Sequence, residues 1–315
     1  MARHITPELI EPAGPHTAYQ RRSARPPAIA IVRSLRPSQW TKNFIIFAAL
    51  LFGERLLHAP SVVRSIAAFG IFCLLSGVVY LVNDVADREA DRRHPAKKHR
   101  PIASGAVSVR SALVAAAALA TAALAAAFIL RPLFGLLAAS YLALLGLYSG
   151  PLKHVVIIDV LTIAIGFVLR AAAGAVAIAV PVSHWLYVLT ILLALFLALS
   201  KRRHELVLLA DGATGHRRIL EEYSPYLLDQ MISVVTASTL VAYAFYTVNP
   251  ETVAKFETDL LGLTVPFPLY GIFRYLYLVH QKEGGGSPAE MLLTDRPLLA
   301  CVALWALAVA LIIYT

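Results

Sequence analysis

Apolar stretches of about 20 residues recur along the chain, the length a helix needs to cross the hydrocarbon core of a bilayer. Shorter segments rich in Arg, Lys and Asp separate them. The pattern predicts about nine crossings, near residues 43–58, 62–83, 109–130, 132–149, 156–180, 182–200, 225–248, 262–281 and 296–314. The first stretch is short and carries Glu54 and Arg55 near its end. The expected fold class is therefore all-α, a polytopic membrane bundle. Residues 1–32 are rich in Pro and Arg and lack an apolar core segment. They are expected to form a flexible cytoplasmic tail ahead of one transmembrane domain, 33–315, with no cleavable signal peptide.

Composition supports the membrane reading. Of 315 residues, 58% are hydrophobic and 15% charged, and the mean hydropathy is +0.69. A soluble domain is about half apolar and a quarter charged. Charge then sets a direction. With nine crossings and the N-terminus inside, the cytoplasmic segments collect most of the Arg and Lys. The outer segments keep only Arg55, Arg64, Arg131 and Lys255. This bias orients a chain in a cell (inner) membrane. The net charge of +9 belongs to one membrane face, where it meets anionic lipid or substrate rather than nucleic acid. Cys73 and Cys301 sit inside predicted crossings and imply no disulfide framework.

Three polar segments on the predicted inner face hold the candidate chemistry. The first ends the second crossing with Asn83, Asp84, Asp87 and Asp91, followed by Arg92, Lys97, Lys98, Arg100 and Pro101. On a continuous helix the three aspartates fall within about 60° of one another, while Glu89 points away. Carboxylates so placed repel unless a cation joins them. Magnesium takes oxygen ligands and keeps positions open for substrate phosphates. The alternative is a solvated helix end.

The second segment runs from Tyr148 through a Gly150-Pro151 turn and Lys153 to Asp159, with Thr162, Gly166 and Arg170 on one stripe beyond it. Arg170 lies about 16 Å along the helix from Asp159, too far for a direct pair. It needs another partner, structural or a substrate phosphate. Gly166 and Gly174 are expected to permit close helix packing. The third segment, Lys201-Arg202-Arg203-His204-Glu205, suits phosphate binding and equally suits a basic stop at a helix end. Arg36 to Asn43 precedes the first crossing, where Trp40 reads as an interfacial anchor and Lys42 can reach a cavity. Arg274 is expected to snorkel to the surface.

The run Asn83-Asp84-Val85-Ala86-Asp87-Arg88-Glu89-Ala90-Asp91 resembles the NDxxDxxxD motif of the UbiA superfamily of membrane prenyltransferases. Arg100-Pro101-Ile102-Ala103-Ser104-Gly105 is similar to its RPxxSG loop. The resemblance implies a nine-helix bundle with a cytoplasm-facing cavity, and metal binding at Asn83, Asp84, Asp87 and Asp91. Where members carry a second aspartate motif, this chain has Lys201 to Leu206. That departure looks like the branch that transfers phosphoribosyl groups to decaprenyl phosphate for arabinan cell-wall precursors. The branch implies Mg2+, phosphoribosyl pyrophosphate and a polyprenyl phosphate lipid, and leaves a homo-oligomer open. Asp84, Asp87, Asp91 and Asp159 are then the candidate catalytic residues. Lys42, Tyr80, Asn83, Lys97, Arg100, Tyr148, Lys153, Arg170, Lys201 and Arg202 are the candidates for substrate binding. Two alternatives stand beside this: prenyl transfer from a prenyl diphosphate to a small acceptor, and a non-catalytic lipid-binding protein or transporter.

Overall fold

The computed structural model describes residues 27–95, 97–181, 183–210, 218–282, 286 and 288–315, and every regular element among them is helical. In chain order these are α1 (Pro27–Ser34), a 3-10 helix (Pro37–Phe47) that runs into α2 (Ala48–Phe52), α3 (Ala59–Ala86) and α4 (Arg88–Arg93). Then follow α5 (Val109–Leu130), α6 (Pro132–Ser149), α7 (Ile158–Ile178) and α8 (His184–Ala210). The last are α9 (Pro225–Val248), α10 (Pro250–Phe256), α11 (Pro266–Gln281), α12 (Pro288–Thr294) and α13 (Arg296–Tyr314). Local sequence explains the starts. Pro occupies the first turn of α3, α6, α9 and α11, where its missing N–H costs nothing. Side chains of Ser108, Ser224 and Asp295 accept from backbone N–H groups opening α5, α9 and α13.

Among the described residues, seven helices are long and apolar enough to cross a membrane: α3, α5, α6, α7, α8, α9 and α13. The first and eighth expected crossings have another construction. Residue 36 lies against Asp84 at the C-terminal end of α3, whereas His58 adjoins its N-terminal end at Ser61. The segment between, residues 37–57, therefore runs along most of α3, from Asp84 back to Ser61, with its helical part made of 3-10 helix Pro37–Phe47 and α-helix Ala48–Phe52. The steeper 3-10 rise of about 2.0 Å per residue makes that reach feasible. Likewise, residues 260–281 begin where Thr264 meets Tyr243 late in α9 (2.6 Å). They end where His280 meets Asp229 in its second turn (3.3 Å).

The described residues include the last six positions of the expected 1–32 tail. Helix α1 begins at Pro27, with Ala30 and Leu35 buried against Val78 and Leu81 of α3. Positions 1–26 of the expected 1–32 tail lie outside the described residues. Trp40 packs half-buried on the same cluster.

The main core gathers Ile46, Leu75, Phe72, Phe134 and Tyr141. Helix α5 buries Ala112, Ala116, Ala123 and Ala127, a single stripe of small residues that lets backbones approach closely. The tightest approach is at Gly174 of α7, where an added Cβ would sit 2.2 Å from the Ile46 carbonyl oxygen. Backbone cannot yield as a side-chain tip can. Gly174→Ala is expected to destabilise the fold by about 1–3 kcal/mol, read as a lower unfolding midpoint in detergent. Gly262→Ala, which meets nothing within 4 Å, serves as its control.

Candidate active site

Helix α3 stops at Asp87, whose φ of −90° and ψ of 6° leave the helical region, and α4 restarts at Arg88. Backbone bonds nonetheless carry the helical register across the break. The Asp87 N–H donates to Asn83 (2.8 Å) and the Asp91 N–H to Asp87 (2.8 Å). Asp84 and Asp91 thus stay on one side and are both buried. The chain then doubles back through the 3-10 turn Lys97–His99 and brings in Arg100. The loop behind it is anchored by fully buried Ile102 and by Arg92 Nε, which donates to the Ala103 carbonyl (3.1 Å). Gly105 closes that loop at φ +82°, a conformation that favours glycine.

Arg100 Nη1 reaches both carboxylates, 2.6 Å from Asp91 Oδ2 and 3.2 Å from Asp84 Oδ1. Arg36 adds a second ion pair to Asp84 Oδ1 and lies 4.7 Å from the centre of the Tyr80 ring. Asp87 turns elsewhere, to Lys153 Nζ at 3.5 Å. Asn83 is half-buried beside them. A cavity of about 200 Å³ opens here, lined by Arg33, Ser34, Arg36, Asp84, His99, Arg100 and Pro101. The motif loop, the Gly-Pro turn and the segment before the first crossing therefore converge.

The four expected metal-binding residues, Asn83, Asp84, Asp87 and Asp91, do not stand together as one preassembled group. Among the described residues no three acidic, histidine or cysteine side chains form a ready metal group. A buried carboxylate without a partner is costly, so each aspartate takes a cation from the chain itself. The donor set still fits magnesium. That ion is usually held by one or two carboxylates, completed by substrate phosphates and water, rather than by an all-protein cage. Asp84 and Asp91 reach the same guanidinium nitrogen and can share one cation, with Asp87 at the rim.

A second cluster lies where α7 and α8 meet. Asp159 is fully buried. It accepts from Arg202 Nε (2.8 Å) and from the Tyr223 hydroxyl (2.9 Å). Arg202, 2% exposed, also pairs with Glu205 (2.6 Å) and donates to the Tyr148 hydroxyl (3.0 Å). Lys201 stands outside it, 3.7 Å from Glu205. Tyr223 in turn accepts from the N–H of Ile157 (2.8 Å), a β-branched residue at φ 69°. Burial pushes the Tyr223 hydroxyl up to about 12, so it remains a donor to Asp159. Asp159, Arg202 and Tyr148 are thus committed to one another and hold both ends of the turn that carries Lys153.

Arg170 forms a third, deeper cluster. Its guanidinium donates to Asn43 Oδ1 (2.8 Å), the Tyr141 hydroxyl (2.6 Å) and the Gly166 carbonyl (3.2 Å). Among the described residues no carboxylate pairs with it. Lys42 is close enough to feel the charges of Arg170 and Arg36, and makes no hydrogen bond or ion pair among the described residues. Lys97 stands on the turn before Arg100.

Sequence reasoning left Arg36, Glu205, Tyr223 and Tyr141 out of the candidate sites. Arg36 and Glu205 belonged to polar segments it singled out, whereas a lone tyrosine gives no signal of its partner. Arg274 does not merely snorkel, because it forks onto Asp295 at 2.8 and 3.2 Å. That pair holds the Asp295 carboxyl below its ordinary range, chiefly through the hydrogen bond from Arg274. Asp211, the acidic residue that follows the Lys201–Glu205 segment in the chain, lies outside the described residues.

Known proteins share both sequence and fold with this chain. It is 31% identical to a decaprenyl-phosphate phosphoribosyltransferase of Corynebacterium glutamicum, over 95% of this chain and 93% of that protein. The same identity holds to the enzyme of that name from Mycobacterium tuberculosis, over 89% and 94%. The fold matches a UbiA homolog from Archaeoglobus fulgidus, solved bound to GPP and Mg2+, with a TM-score of 0.67 at 21% identity, covering 91% of this chain and all of that one. The sequence profile of the UbiA prenyltransferase family matches residues 43–294. With that match over most of its length, the chain belongs to the UbiA prenyltransferase family.

Proposed function

We propose that the protein transfers the 5-phosphoribosyl group of phosphoribosyl pyrophosphate to a polyprenyl phosphate such as decaprenyl phosphate, releasing pyrophosphate. The observation that carries this reading is the near full-length similarity to enzymes named decaprenyl-phosphate phosphoribosyltransferase. The basic Lys201–Arg203 segment supports it, since Arg202 is spent on Asp159 and Glu205 where a second carboxylate site for a prenyl diphosphate would be needed. In this reading the first and eighth segments also cross the membrane, making nine crossings. The N-terminus and the aspartate site then face the cytoplasm, and the cavity opens to a water-soluble donor and a lipid acceptor.

Asp84 and Asp91, with Asp87 and Asn83 at the rim, would hold Mg2+. When bound, the ion neutralises charge that develops on departing pyrophosphate. Arg100, Arg36 and Lys97 orient the donor's diphosphate, and Lys153 and Lys42 bind the remaining phosphates by position and charge. The attacking group is a phosphate oxygen of the lipid. With a second pKa of about 6 it is already ionised near neutral pH, so no general base is required. That oxygen bonds to the ribose anomeric carbon while the bond to pyrophosphate breaks, and the leaving group keeps the electron pair. Asp159, enclosed by Arg202 and Tyr223, serves as a positioning residue for the Lys153 turn.

The purified chain with phosphoribosyl pyrophosphate, polyprenyl phosphate and Mg2+ is expected to release pyrophosphate and to fall silent with EDTA. Turnover of a prenyl diphosphate with an aromatic acceptor, and none with this pair, would overturn the proposal in favour of ordinary prenyl transfer. No turnover of either pair would favour a non-catalytic lipid-binding role.

A further inference from the structure

The aspartates and arginines of the site are already paired with one another. Arg100 Nη1 lies between Asp84 and Asp91, and Arg36 reaches the same Asp84 oxygen as Arg100. Those carboxylate oxygens are also the ones that fit a divalent cation. A guanidinium and a divalent ion on the same pair of oxygens repel each other strongly where water is scarce, and Asp84 and Asp91 are 2% and 3% exposed. Their two occupants therefore exclude each other. The cavity beside them gives the displaced side chains somewhere to go. It is lined by Arg36 and Arg100 themselves, with Arg33 and His99 adding further basic groups. Such a lining suits an anion, and arginine binds phosphate oxygens with two parallel hydrogen bonds.

We infer that Arg100 and Arg36 are exchangeable counter-ions: they hold the carboxylates against metal, and they leave them for the diphosphate oxygens when metal and diphosphate arrive together. This rests on reading the aspartates as a metal–diphosphate site, and it adds an order of events. Metal alone must compete with two arginines. Diphosphate alone must draw those arginines from Asp84 and Asp91. Either ligand removes the other's competitor, so the two bind with positive coupling, which is reciprocal by necessity. The Arg36 guanidinium lies over the Tyr80 ring while it pairs with Asp84, and Arg100 is tethered by a backbone bond from its N–H to Lys97 (2.9 Å). The exchange therefore needs side-chain movement alone.

The test uses the full chain in detergent and reads binding rather than turnover, with inorganic pyrophosphate as the anion and Mg2+ by calorimetry or Mn2+ by spin resonance as the metal. In the wild type, pyrophosphate is expected to tighten metal binding by about 10-fold. Arg100→Gln should bind metal alone several-fold tighter than wild type, bind pyrophosphate more weakly and lose most of the coupling. Arg36→Gln, an independent change on the same carboxylate, should move in the same directions even if Arg100→Gln folds poorly. Arg100→Lys should keep part of the coupling, since it restores charge but not the fork. Lys98, exposed on the same turn, controls for net charge.

Metal affinity that is unchanged or weaker in both glutamine variants would overturn the exchange. Equal tightening in Lys98→Gln would also overturn it, by assigning the effect to the general field. The binding readout needs no ribosyl donor, so failure of the phosphoribosyl reading would show in the turnover assay and leave this result standing. Absence of any metal or pyrophosphate binding in the wild type would sink both.

Discussion

Asp84→Asn is expected to cut magnesium-dependent pyrophosphate release by about 10²–10³-fold, the loss typical when a group stabilising transition-state charge is removed. Asp84 is the aspartate most tightly bound into the site. It is buried, lies between Arg36 and Arg100, and shares Arg100 with Asp91. The amide keeps the volume but removes the charge that would bind metal, and leaves Arg36 without its carboxylate. Turnover should fall even at saturating donor, and added magnesium should recover only part of it. Glu89→Gln is the matched control, because Glu89 is exposed and among the described residues pairs with Arg88 and Arg92 alone; its rate should stay near that of the wild type. If Asp84→Asn keeps a third or more of the wild-type rate, the aspartates do not hold the catalytic metal.

Much of this was legible along the chain, because the bilayer imposes a strong period on it. Seven expected crossings are long helices. The first and eighth departed from that form where the chain mixes 3-10 and α-turns, which apolar content alone does not distinguish. The aspartate register was legible because Asn83 to Asp91 keeps helical bonding across the break at Asp87. The partners of the charged residues were not legible. Arg36 and Asp84 are 48 positions apart, Tyr223 and Asp159 are 64, and Arg170 and Asn43 are 127. Spacing within one helix carries no information about which helix will face it. The basic run Lys201 to Arg203 illustrates this. Its three neighbours have three destinations: a contact with Glu205, a buried bond to Asp159 and a fork onto Asp229.

The Asp159–Arg202 pair gives the largest expected effect on stability. Both side chains are almost wholly buried. Removing one partner of such a pair leaves an uncompensated charge and costs about 3–5 kcal/mol. Asp159→Ala and Arg202→Met should each lower the unfolding midpoint in detergent accordingly. Asp159→Ala also takes the acceptor from the Tyr223 hydroxyl, which holds Ile157 at its positive φ. Combining the two substitutions should cost clearly less than their sum, because neither charge is then left alone. The same series separates two roles for Asp159. As a positioning residue, it acts through the turn that brings Lys153 to Asp87. Asp159→Asn, which keeps the acceptor oxygen, should then raise KM for the donor more than it lowers kcat, with a fall in stability. A drop in kcat alone with an unchanged midpoint would instead mark Asp159 as a group that meets the reacting ribose directly.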